Sequence, residues 1–178
     1  MSRPAVPEPA WWCEAPERWE LLEFDGRHDV NGLPVDIRWE DRQQVLEALI
    51  LGPGPGIGDF ARYLLAQETE YHRHSWGFSH SIELAALLVA EERRTEDVWL
   101  LWNAVRRSFD TWGGLPHRLL LSAGVARTVE YVGGSEHPQR DSLLGHLEQM
   151  EATDDEVART LTERRRYYSG ILRELAGE

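Results

Sequence analysis

Between Ser79 and Gly134 the chain runs through three helical patterns separated only by short breaks, and most of its aliphatic and aromatic bulk lies there. The middle pattern, Glu96 to Trp112, is the most constraining. Val98, Leu101, Trp102, Val105, Phe109 and Trp112 recur at helical spacing and fall on one arc of a helix, which predicts a face turned to a core. A strand would alternate faces at every residue and would scatter these side chains to both sides. The segment therefore commits this part of the chain to helices packed against one another.

The same period appears on both sides. Glu40–Leu51 carries Val45, Leu46, Leu49 and Ile50, and Asp59 to His74 carries Phe60, Leu64 and Tyr71. Ile82–Arg93 follows, with Ser79 placed to cap it. Thr95 is a suitable cap for the Glu96 helix, with Glu96 and Asp97 at its positive end. Pro116 opens a helix over 117–132, in which Gly124 marks a close helix crossing and Gly133-Gly134 the stop. A helix over 138–150 and a last one to about Leu175 complete the series, the last announced by the capping-box pattern Thr153-Asp154-Asp155-Glu156.

About seven helices result, and the predicted fold class is all-α. Alternate helices begin near residues 40, 80 and 116, an interval of roughly 36–40 residues. In this spacing the chain resembles helical-hairpin proteins of the HEAT and armadillo kind. The resemblance is one of architecture and implies a short array of antiparallel hairpins; because the three pairs share no alignable motif, an irregular bundle fits the same helices.

The remaining stretches are less regular. Residues 1–10 contain three prolines and read as a disordered or extended arm, with 11–178 as a single helical domain. Trp11, Trp12, Trp19 and Phe24 form an aromatic segment expected to lie on the body of its own domain, since large rings left in water are costly. The alternative is a docking segment for a partner, and a swap of Trp11 and Trp12 onto a neighbouring copy, giving a homo-oligomer, is a further one. Arg18–Phe24 reads as a short helix or strand, and Asn31-Gly32 can turn a small hairpin. LGPGPGIG at 51–58 is glycine-rich but lacks the GK[ST] ending of a phosphate loop, so it reads as a kinked linker.

Charge and cysteine content narrow the function. The net charge of −12 argues against nucleic acid or an anionic membrane as partner and permits a basic protein. All nineteen basic residues are Arg, which excludes lysine Schiff-base chemistry and points to a GC-rich bacterial genome. Cys13 is the only cysteine, no signal peptide is visible and no apolar run is long enough to span a bilayer, so the expected home is the cytoplasm.

Three clusters could carry chemistry. Glu68/His72 and Glu70/His74 are i,i+4 pairs, but His72 and His74 point to nearly opposite sides of a helix, so the stretch reads as a solvated helix end and no metal site is assigned. Trp99, Asn103, Arg106 and Asp110 cluster within about 60° on the Glu96 helix, and His117 arrives just after the WGG break, where it can approach Asp110. These five residues are the candidate binding face, or else a satisfied structural network. Arg164, Arg165 and Arg166 face different ways and read as partners of acidic side chains near a helix C-terminus.

No nucleophile motif, no GxSxG and no CxxC is present, and neither a catalytic residue nor a cofactor is assigned. The expected function is a bacterial protein-binding module without catalytic activity, an immunity-type or adaptor protein that docks a basic partner. The alternative is an enzyme or small-ligand binder with a polar, Trp-lined pocket inside the helices.

Overall fold

The computed structural model describes residues 7–32, 35–52, 54 and 56–177. The fold is all-α. Its helices are α1 (Pro9–Cys13), α2 (Trp39–Leu51), α3 (Gly58–His74), α4 (His80–Glu91), α5 (Val98–Val105), α6 (Phe109–Gly114), α7 (Val125–Gly133), α8 (Arg140–Gln149) and α9 (Asp154–Ala176). Three 3₁₀ segments, Pro16–Leu22, Thr95–Asp97 and His117–Leu121, join them.

Helix α4 is the axis of the molecule. Every residue from Ser81 to Ala90 is buried, as expected of a helix that is apolar nearly all round. Ser79 starts it, its hydroxyl accepting from the Ser81 amide at 3.4 Å. Leu87 and Leu88 are fully buried, each worth about 1.5–3 kcal/mol of transfer free energy. Helices α2, α3, α5 and α9 all contact α4. Helix α9 also returns to α2: Arg165 donates to the Ile50 carbonyl at 2.7 Å and makes a two-point pair with Glu91 at 2.9 and 2.6 Å. The helices thus close around α4 instead of continuing as an open array. Thr153 and Glu156 form the expected capping box at the start of α9.

The aromatic N-terminal segment lies on its own domain. Trp12 is buried and stacks on Phe60 with centroids 6.1 Å apart, and Trp19 packs on Phe60 and Tyr63. Trp19 Nε1 donates to the Trp12 carbonyl, and the Tyr63 hydroxyl donates to the Trp19 carbonyl. Of the expected arm, residues 1–6 lie outside the described residues, and Pro9 and Ala10 already belong to α1. Prolines 53 and 55 of the linker, and Leu33-Pro34, also lie outside them. Asn31-Gly32 does sit in a turn, with the Gly32 amide on the Asp29 carbonyl at 3.0 Å and the Val35 amide on the Arg27 carbonyl at 2.8 Å, but the described residues form no strand beside it, only an isolated bridge at His28.

Three helical expectations are corrected. The single helix over 96–112 is broken after Val105. Ser108 adopts an extended conformation and caps α6 in a reciprocal box with Thr111, whose hydroxyl also donates to the Val105 carbonyl at 3.2 Å. The break turns Phe109 out of the core face to 90% exposure. Thr95 lies within a 3₁₀ turn, and Arg62 holds the following Asp97. The helix over 117–132 is divided at Gly124, whose φ of 112° is open to glycine alone and starts α7 afresh; it is a break, not a helix crossing.

Candidate functional site

The five residues of the expected binding face do not form one cluster. Trp99 stacks on His137 with centroids 3.8 Å apart. Asn103 and Arg106 are exposed on the outer side of α5, the Arg106 guanidinium lying 5.3 Å over the Trp102 ring. Asp110 accepts from the Gly77 amide at 3.0 Å. His117 is bonded through Nε2 to the Trp112 carbonyl at 2.8 Å and packs against His146 and Trp112. Asp110 and His117 therefore take different partners. Burial, and then the neighbouring His117, holds His146 below the ordinary histidine pKa.

The Asp110–Gly77 bond has a consequence for the surface. It fastens the 75–79 loop to the start of α6. A second contact reinforces it: the Phe78 ring lies so close to Gly114 that a Cβ there would sit 2.5 Å from it. Next to it Arg107 pairs with Glu70 at 2.8 Å and ties the turn before α6 to α3. Trp76 and Phe109, each one residue from the Asp110–Gly77 bond, lie on the same part of the surface and are 91% and 90% exposed. Trp112, also on α6, is partly exposed. Large rings held in water on a fastened scaffold are the usual anchors of a protein interface. The tryptophan surplus was visible in the sequence, but nothing local distinguished Trp76 from the buried ones.

On the other side of the 75–79 loop lies a polar core that the sequence did not reveal. Glu68 and His72, expected at a solvated helix end, are fully buried. Arg42 from α2, itself without exposure, pairs with Glu68 at 2.6 Å and with Asp36, and donates to the Leu22 carbonyl at 3.2 Å. Burial opposes the charged guanidinium, but Glu68 and Asp36 outweigh it and raise its pKa. The second oxygen of Glu68 accepts from Ser81. His72 donates from Nδ1 to the Glu68 carbonyl at 2.8 Å and accepts at Nε2 from the Ser79 amide at 3.1 Å, which fixes the neutral tautomer. Burial, as the main cause, depresses its pKa.

Above this core a groove of about 520 Å³ opens between α2, the first turn of α4 and α9. Trp39, Tyr71, Phe78, Tyr167 and Tyr168 wall it, with Leu84, Ile171 and Leu172 as apolar lining. His80 and Tyr168 are bonded at 3.1 Å, and the Tyr168 hydroxyl donates to the buried Glu83, which also pairs with Arg164 at 3.3 Å. Burial foremost, and then Glu83, push the Tyr168 phenol far above its ordinary pKa, so it stays a donor. Two arginines of the 164–166 run are thus partners of acids on α4, Arg164 of the buried Glu83 and Arg165 of the partly buried Glu91.

Among the described residues no group of three or more His, Cys, Asp and Glu is arranged to hold a metal ion. No helix among them is long and apolar enough to cross a membrane. The fold and these surfaces define an all-α bundle with an exposed aromatic face and a ring-walled groove. No known family model, curated protein or solved structure matches the chain.

Proposed function

We propose that this chain is a non-enzymatic protein-binding module of the adaptor or immunity type, which docks a basic protein through the face carrying Trp76 and Phe109. The observation that carries the reading is the near-complete exposure of both rings, Trp76 on the 75–79 loop and Phe109 at the start of α6, where Asp110 and Phe78 fasten the two together. A fastened anchor loses little conformational entropy on binding, so more of its burial appears as affinity. Asn103 and Arg106 lie exposed on the adjoining helix and supply a polar rim. The net charge of −12 favours encounter with a basic partner.

The test is a parallel purification of the tagged wild type, the Trp76→Ala/Phe109→Ala double variant and a Leu175→Ala control from the source organism, with each fold checked by circular dichroism. Expected is one stoichiometric basic companion, retained by the control and lost from the double variant; two anchors at about 2 kcal/mol each correspond to roughly a thousand-fold in affinity. Equal recovery with the double variant, or no companion with any form, overturns the reading.

A further inference from the structure

The ring-walled groove is a second surface, distinct from the Trp76 face. Its volume of about 520 Å³ suits a small molecule. Rings alone would select only for apolar surface; the charge around them decides what else. Glu47 stands on the wall, half-buried, and its side chain accepts from Gln43 at 2.8 Å with no cation of the described residues in ion-pair distance. Behind Tyr71, one guanidinium, Arg42, is flanked by two carboxylates, Asp36 and Glu68, and lies 6.0 Å from the Tyr71 ring. Beneath Tyr168, Glu83 is matched by Arg164. Among the residues that line the groove Glu47 is thus the one carboxylate and none is an arginine, while behind the wall three buried carboxylates stand against two guanidiniums.

An anion is repelled from such a site, and a neutral molecule gains nothing from the excess charge. A cation gains from it and from the negative faces of the rings. A bare ammonium would have to give up strong hydration with few acceptors to replace it, whereas an alkylated ammonium is weakly hydrated and presents methyl groups to the rings. We propose that this groove binds a small alkylammonium compound, its onium head among the rings of Tyr71, Tyr167 and Tyr168, with Glu47 as the counter-charge.

Choline is the probe, and 3,3-dimethylbutan-1-ol, which replaces the cationic nitrogen by carbon at nearly the same shape, is its control. Saturation-transfer NMR and calorimetry on the full chain should show choline binding, with the alcohol about ten-fold weaker or more. Tyr167→Ala, at a half-exposed ring, and Glu47→Gln should each weaken choline several-fold while the thermal melt stays close to wild type. Trp76→Ala/Phe109→Ala should leave choline binding unchanged, which separates this proposal from the protein-docking reading. The proposal is overturned if choline does not bind in the millimolar range. It also fails if the alcohol binds as well as choline, or if both groove variants bind choline as wild type does. A trimethyllysine peptide that binds far more tightly than choline would assign the site to a protein side chain and overturn the small-molecule reading.

Discussion

Replacing Arg42 by methionine tests the buried polar core most directly. The substitution keeps much of the side-chain volume and removes the only cation among the described residues in ion-pair contact with Asp36 and Glu68, both essentially without solvent exposure. It also leaves the Leu22 carbonyl without the donor that Arg42 supplies. Glu68 keeps the Ser81 hydroxyl and Asp36 keeps the Arg38 amide at 3.0 Å, so neither carboxylate loses every partner. Removing one partner of a buried pair costs about 3–5 kcal/mol, chiefly because the remaining charge is desolvated. For a chain of this length each kcal/mol lowers Tm by about 2–4 °C, so the expected loss is about 6–20 °C. The assay is thermal and urea unfolding followed by circular dichroism. The triple variant Asp36→Ala/Arg42→Met/Glu68→Leu removes all the charge at once and should recover most of the loss, since apolar replacement of such a cluster is often neutral or better. A single variant that melts within about 3 °C of wild type refutes the charge argument. So does a triple variant less stable than the single one.

Two further outcomes follow from neighbouring contacts. His72 is neutral in the fold, with a pKa below its unfolded value near 6.5. The unfolded chain then binds the extra proton, so stability is full above about pH 6.5 and falls as the pH drops toward the folded value. His72→Gln should flatten the dependence of the urea midpoint in that range, leaving the contribution of His146, which has the same sign; an unchanged slope would discard His72 as its source. Gly114→Ala places a Cβ against the Phe78 ring and should cost about 1–3 kcal/mol. The cost should shrink in a Phe78→Ala background, and strictly additive urea-unfolding values would show that the two do not meet.

What the sequence could reveal depended on the range of each interaction. The period of α4 and α9, the Ser79 cap and the Thr153–Glu156 box are local and were legible. The break at Ser108 is local too, yet it escaped the usual signature because its reciprocal partner is Thr111, not Glu or Gln. The misreading of Glu68 and His72 has a different origin. Their spacing on α3 is that of a solvated pair, and only Arg42 and Ser81, 26 and 13 residues from Glu68, make them interior. The candidate faces are less local still. Trp76 owes its position to a bond across 33 residues, and the groove joins rings of α2 to those of α9, with His80 and Tyr168 meeting across 88. No helical period encodes such meetings.

The clasp of Arg165 on Glu91 and Ile50 bears on how the chain is made. The partners lie 74 and 115 residues apart, and α9 covers the flank of α4 that faces it. While the ribosome is still decoding the residues between, α4 has already emerged with its apolar flank bare. The nascent polypeptide must therefore carry a sticky helix until α9 has emerged, and α9 acts as the latch that ends its exposure to chaperones and aggregation.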